Sequence, residues 1–503
     1  MVRYRTGYAD RTTRLHLLLT TSTTQSNIVS GLQSMGSSSD VELQSPHGKS
    51  DPAPQVITDL TDIPPRDAVS VEEPPPNGGY AWVCTACCFM INAHTWGLNS
   101  AWGIFLAHYL SDSTFENASR LEYALIGGLS ISTSGIIAPV VALSVRSLGT
   151  RNTLLIGTLL VFAAMFGASY ATQIWHLFLS QGVCFGFALG FLYIPSTAVL
   201  PQWFSTRRSL AVGIAASGSG LGGLVYNLIA GRLVQEVGVD WTYRVLAFCG
   251  LVVNAVCSVL LKDRNKAIQP IQDVFDYREY RQTEVILVIL WGVGNELAYI
   301  VLLYSLPNYA ISIGLSPGQG SVVGALLNLG LGVGRPIIGY YSDSFGRLNM
   351  AALMTALSGV LCLALWVPAK TYGVLLVFAL ASGCVCGIFW STVAPVTTEV
   401  VGLKRLPSAF GMICLALVLP STFAEPIALQ MVATSGYLSS QIFVGCMFLF
   451  AAASTLFLRS WKVHQVELKD ALERESEGAT ANQDAIHRQF WLTPKSLLWL
   501  GRV

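Results

Sequence analysis

Residues 261–284, LKDRNKAIQPIQDVFDYREYRQTE, hold ten charged side chains in 24 positions, in a 503-residue chain of which only 12% is charged and 52% is hydrophobic. A segment so charged is excluded from hydrocarbon, so it stands in water and divides its surroundings. On both sides, apolar segments long enough to cross ~30 Å of hydrocarbon at ~1.5 Å per residue follow one another. Those before it lie near 81–109, 121–144, 152–171, 174–198, 209–231 and 242–261; those after it near 284–306, 318–341, 349–368, 372–395, 408–431 and 437–458. The runs are continuous instead of alternating, and backbone in lipid must satisfy its own hydrogen bonds, so helices are predicted and not barrel strands. The expectation is an all-α membrane protein of twelve helices: a first six-helix half over 80–261, a central loop 262–283 and a second half over 284–458.

Composition supports the bilayer as solvent. Soluble domains carry about 25% charged residues, and here the mean hydropathy is +0.53. Thirty Lys and Arg against 29 Asp and Glu leave a net charge of +1, no footprint for nucleic acid. The eleven cysteines fall mostly in apolar runs and read as small fillers. Cys84-x-x-Cys87 lacks a second pair, so neither a metal nor a cofactor is expected. Gly314-Leu315-Ser316-Pro317-Gly318 resembles a nucleophile elbow, and Gly218-Ser219-Gly220-Leu221-Gly222-Gly223 a dinucleotide fingerprint, but neither follows a strand. An enzyme is therefore not expected. The glycines of the fifth span, Gly213, Gly218, Gly220 and Gly222, with Ser217, make small-residue rows that let helices approach closely in lipid.

Basic residues orient the chain. Arg146 and Arg151, Arg207 and Arg208, the 262–281 cluster, Arg347, and Lys404 with Arg405 fall in alternate connections, which places those connections and both termini in the cytosol. The polar stretch 1–79 reads as a disordered cytosolic tail, and 459–503 as a second cytosolic tail, helical to about 477. Asn117-Ala118-Ser119 falls in the first external loop, making Asn117 a glycosylation candidate. A faint repeat relates Gly339-x-x-x-Asp343-x-x-Gly346-Arg347, after span eight, to Ala142-x-x-x-Arg146-x-x-Gly149-x-Arg151, after span two. Two similar halves suit a carrier that alternates access to a central site. Gating is assigned to Asp343, Gly339, Gly346, Arg347, Arg207 and Arg208.

Two further motifs are specific. Asn77-Gly78-Gly79-Tyr80-Ala81-Trp82, entering span one, and Trp203-Phe204-Ser205-Thr206-Arg207-Arg208-Ser209-Leu210-Ala211-Val212-Gly213-Ile214-Ala215, entering span five, resemble the signatures of the monocarboxylate porter family of the major facilitator superfamily. The Gly339–Arg347 string resembles the superfamily's cytosolic loop motif. The similarity covers roughly 75–460, and Asn77 in place of an acid, with the long tail, resembles the fungal branch. The resemblance implies a twelve-helix major facilitator fold and transport of a monocarboxylate or related small organic anion. The fungal branch adds the alternatives of riboflavin uptake and export of secondary metabolites. Arg335-Pro336 matches the family's membrane arginine, but Ser100 stands where animal members have lysine and Leu331 where they have aspartate. Proton–lactate symport of the animal type is therefore not implied.

The residues themselves suggest a site. A guanidinium within a span costs about 2.5 kcal/mol or more on insertion scales, so Arg335 should face a cavity or a partner, either as an anion clamp or as a structural pair or gate contact with Asp343. Asn328, Gly332, Arg335 and Gly339 share one helix face. On span one, Asn92, Trp96, Asn99 and Ser100 share a face opposite His94, which is expected to be buried against neighbours. Substrate binding is thus assigned to Arg335, Asn328, Asn92, Trp96, Asn99 and Ser100. Glu296 and Glu425 are candidates for proton coupling, with a structural pair to Arg335 open for Glu296. Trp291, Tyr299, Trp390 and Tyr226 are aromatic candidates for stacking or for packing. The expected partners are a small organic solute, protons as an open alternative, and lipid, for a monomer in the plasma membrane or in a vacuolar or other internal membrane. A non-transporting nutrient sensor is the remote alternative, since neither tail reads as a folded domain.

Overall fold

The computed structural model describes residues 75–112, 115, 118–268 and 277–476. Among the described residues every regular element is a helix. We label the twelve passes α1 to α12. α1 spans 80–112 and contains a π-helical turn, Ala93–Gly97; α2 spans 120–148, bent at Ile137. α3 is Thr150–Ala168, and α4 runs Ile174–Trp203 with a π-helical stretch at Phe178–Cys184. α5 and α6 share the continuous run Arg208–Leu260, divided at Gly238. α7 is Thr283–Ser312, α8 Pro317–Phe345, α9 Arg347–Trp366 and α10 Tyr372–Val401. α11 and α12 occupy 406–435 and 437–476, divided at Gly436. Asn117 and residues 1–74 lie outside the described residues.

Local chemistry accounts for the boundaries. Ser119 with Glu122, and Ser316 with Gln319, form capping boxes that start α2 and α8, each satisfying two otherwise orphaned amide donors. The turns α5–α6 and α11–α12 need only one residue each because Gly238 and Gly436 adopt φ of 82° and 74°, a region in which a Cβ is strained. They stand at equivalent places in the two halves. α12 outlasts its apolar stretch, because hydropathy marks where the chain leaves lipid and not where its helix ends.

Each half has its own core. Phe105 stacks on Tyr243 at 4.0 Å in the first, and Trp366 on Phe378 at 5.5 Å in the second. A third cluster joins them: Val141, Phe191 and Tyr193 of α2 and α4 pack with Trp291, Phe389, Phe410 and Ile413 of α7, α10 and α11. Large apolar side chains such as Leu159, Val252 and Val377 cover the outer faces, as lipid contact requires.

The halves also meet backbone to backbone. A Cβ built on Gly213 of α5 would fall 2.5 Å from the carbonyl oxygen of Arg335 on α8, and one on Gly220 would fall 2.7 Å from both the Asn328 carbonyl and the Gly332 amide. The opposite face of α5 treats α1 the same way: Gly218 abuts the Phe89 carbonyl and Gly222 abuts Ala93. Without a hydrophobic drive between helices, such close approach supplies the dispersion contact that holds them. Gly220→Ala should therefore destabilise the folded protein by about 1–3 kcal/mol, since the facing atoms are backbone and cannot rotate away. Gly231→Ala, on the same helix with nothing within 4 Å of its Cβ, should leave thermal unfolding in detergent unchanged or slightly raised; equal shifts for both variants would refute the packing argument.

Candidate functional site

Where α1, α5, α7, α8 and α11 diverge they leave a cavity of about 900 Å³. Its lining includes Ile104, Leu106 and Ala107 of α1, Asn308, Ile311 and Ser312 of α7, Ser321 of α8 and Tyr437 of α12. The cavity thus extends to the end carrying the α1–α2, α7–α8 and α11–α12 turns. Asn92, Trp96, Asn99, Ser100, Glu296, Asn328, Arg335 and Glu425 all line it, so the structure brings together every residue assigned to solute or proton binding. Trp390 and Tyr299 line it as well, whereas Trp291 and Tyr226 do not. His94 lies behind the wall, hydrogen-bonded to the Tyr226 hydroxyl.

Three aromatic rings floor the cavity. Trp96 and Tyr193 from the first half lie 5.7 Å apart between centroids and meet Trp390 from the second at 6.3 and 5.7 Å respectively. The Trp390 indole donates to Glu296 Oε2 at 2.9 Å, and the Ser421 hydroxyl donates to Glu296 Oε1 at 3.3 Å. Glu296, 2% exposed, is therefore held by neutral donors and not by the ion pair with Arg335 that its position allowed. One turn beyond Ser421 on α11, Glu425 is 7% exposed, and its Oε2 has no hydrogen-bond partner.

Arg335 makes no salt bridge among the described residues. Its Nη1 donates to the Ala216 carbonyl at 2.7 Å and to the Ser219 hydroxyl, both on α5, while its Nε is buried without an acceptor. The alternative pairing with Asp343 is not made. Asp343 instead accepts from the backbone amides of Ser209 and Leu210, each at 3.0 Å, and lies 3.3 Å from Arg347. A carboxylate there caps the first turn of α5 and complements the positive end of its dipole.

The opposite end is closed. Arg347 reaches Ser205 O at 2.8 Å and Glu399 at 2.7 Å, and Lys462 holds the Glu399 carbonyl at 2.7 Å. Gly339 sits against the Ser209 carbonyl, Gly346 turns α8 into α9 with φ of 106°, and Arg208 is buried with its Nε on Phe204 O at 2.9 Å. Arg207, grouped with these in the sequence, is exposed and stands apart. The two entry motifs pack on each other: Asn77 Oδ1 accepts from the amides of Ser205 and Thr206 at 2.7 and 3.1 Å, and Trp82 meets Phe204 edge-on at 5.0 Å. Sequence reasoning missed Ser219, Ser421, Tyr193 and Glu399. Only Glu399, an acid closing the α10 apolar run beside the basic α10–α11 turn, left a readable signal.

Comparisons with known proteins agree with this architecture. The profile described as the Major Facilitator Superfamily matches residues 82–316 and 288–501. The chain belongs to the major facilitator superfamily. Among its relatives, the probable transporter MCH2 of Saccharomyces cerevisiae is 33% identical over 438 residues, covering 85% of this chain and 90% of that protein. The uncharacterized transporter ESBP6 of the same yeast is 32% identical over 78% of this chain, which spans 60% of its length. The Fujikurins efflux protein of Gibberella fujikuroi is 27% identical, with 76% of this chain and 84% of that protein covered. The proton:xylose symporter XylE shares the fold, with a TM-score of 0.60 at 14% identity over 74% of this chain and 94% of that one. This superfamily member is accordingly a multi-pass membrane transporter and not an enzyme.

Asparagine at 343 would keep one acceptor and turn an amide donor toward the other backbone N–H. Losing a charge-assisted bond of about 1.5–3 kcal/mol, Asp343→Asn should speed hydrogen exchange at Ser209 and Leu210 at least tenfold while leaving 317–328 unaffected. Exchange indistinguishable from wild type would show that the carboxylate does not hold this end closed.

Proposed function

We propose that the protein is a secondary active carrier of a monocarboxylate or related organic anion, of the monocarboxylate porter type, working by alternating access between halves 80–261 and 284–458. One observation carries this reading: Arg335, only 4% exposed, stands on the cavity wall with an unpaired donor and no carboxylate partner among the described residues. A buried guanidinium left without an anion is costly, and its planar fork suits a carboxylate. Charge arithmetic favours proton coupling. One guanidinium and two carboxylates sum to −1 when all are ionised, and an arriving anion would make the site −2. Protonating Glu296 or Glu425 relieves that repulsion in a low-dielectric site. The lysine and arginine bias assigns both termini and the 262–283 loop to the cytosol, so the cavity faces outward in this state.

A second reading, a carrier of a larger neutral or aromatic metabolite, is favoured by the cavity volume, near the upper end of the range for drug-sized ligands, by its aromatic floor, and by likeness to a metabolite efflux protein.

Uptake of labelled short-chain acids and of riboflavin into proteoliposomes, with and without a pH gradient, separates the readings. For an anion, Arg335→Gln should weaken binding by about 10- to 150-fold, the equivalent of one charge-assisted hydrogen bond, and Arg335→Lys by less. Equal affinity in wild type and folded Arg335→Gln would move the assignment to the metabolite carrier. Glu425→Gln should remove the response to the pH gradient while exchange of solute persists; a full response in that variant would leave Glu296 as the proton site.

A further inference from the structure

We propose that Arg335 is also the latch between the two halves, and that a carboxylate opens the closed end by drawing its guanidinium away from Ser219. The proposal rests on the reading of Arg335 as the anion-binding group. In the observed state the guanidinium has no free fork. Its Nη1 is engaged by Ala216 O and Ser219 Oγ of α5. Its other edge lies against α10, where a Cβ on Gly387 would fall 2.7 Å from Nη2 and 2.9 Å from Nε. Bidentate recognition of a carboxylate needs two parallel N–H groups facing the ligand, so the side chain must swing off α5 to receive one. Solute ligation and the bonds to α5 are then mutually exclusive.

That exclusion has mechanical meaning because α5 and α8 belong to opposite halves. Further toward the closed end Asp343 of α8 and Arg347 of α9 tie the second half to the start of α5, away from the cavity lining; Arg335 is the tie from α8 that both lines the cavity and bonds α5. Release strands nothing on α5. The Ser219 hydroxyl already donates to the Ala216 carbonyl at 2.9 Å, which orients its oxygen to accept from Arg335 and gives its proton a partner afterwards. A latch that leaves no buried polar group unsatisfied can reopen in every cycle. Ser219 is thus a positioning residue: it fixes how firmly the empty carrier stays shut and how strongly a solute must compete.

The test uses the full-length protein in lipid nanodiscs, with benzoate and its neutral isostere benzamide as probes. Ser219→Ala should tighten benzoate binding about threefold or more, because a competitor for the guanidinium is gone. Without ligand it should raise hydrogen exchange across 205–216 and 335–347, and Ser219→Thr, which restores a hydroxyl, should return both readouts toward wild type. In wild type, benzoate should raise the same exchange and benzamide should not. Tighter binding on losing a side chain is not expected from a merely structural serine. Benzoate binding with no change in exchange, or a Ser219→Ala protein indistinguishable from wild type, would overturn the latch and leave the anion reading standing. Equal binding of the two probes, or binding of neither, would overturn the anion reading and the trigger with it, while exchange in unliganded Ser219→Ala would still report on the latch alone.

Discussion

Everything in this molecule depends on two helices from opposite halves lying in backbone contact. α5 and α8 touch from Ser209 and Gly339, through Gly213 and Arg335, to Gly220 and Gly332, with little side chain between them along that line. In lipid such contact is held by dispersion and by whatever polar bonds the helices share. It can slide or part while exposing little apolar surface, since the facing atoms along it are largely backbone and glycine. A seam of larger interdigitated residues would have to unpick its packing to do the same. The glycines therefore set both the strength of the closed end and its capacity to open.

Polar groups are placed along this seam in order of depth. At the closed end Asp343 and Arg347 bind the start of α5 and the preceding turn, where water can take over their bonds when they separate. Deeper, Arg335 makes the same kind of bond where there is less water to replace it, beside the floor formed by Trp96, Tyr193 and Trp390. Glu296 reaches that floor from the other side through the Trp390 indole, so a change in its protonation state acts on a ring shared between the halves. Solute site, acid and seam are consequently within one layer of side chains of one another, and coupling between them needs no long path.

Much of this was legible in the sequence. The charged stretch 262–283 and the apolar runs around it specify twelve helices, because transfer free energy alone decides which segments enter lipid. Helical periodicity places Asn92, Trp96, Asn99 and Ser100 on one face, and the scarcity of charge in the spans singles out Arg335, Glu296 and Glu425. The pairing of these groups was not legible. Arg335 had two acidic candidates and took neither, because the partner is set by which helix lies against α8, a tertiary fact with no periodic signal. Ser219 looked like one more small residue in a glycine run, and Ser421 like any serine in an apolar helix. The motif string that groups Arg207 with Arg208 also hides their difference: one is exposed, while the other is buried and turns back onto the end of α4 at Phe204.

The closed end also has an asymmetry of recognition. The second half contributes side chains, those of Arg335, Asp343 and Arg347, whereas the first half answers mostly with main chain: the amides of Ser209 and Leu210 and the carbonyls of Ser205 and Ala216. Main-chain groups are the same whatever residue carries them. Substitutions along the start of α5 that preserve its helix and its small faces leave the contact intact, whereas nearly any change at the three charged positions removes it. Mutational tolerance should accordingly be lopsided, with the half that is read through its backbone free to drift and the half that does the reading fixed in place.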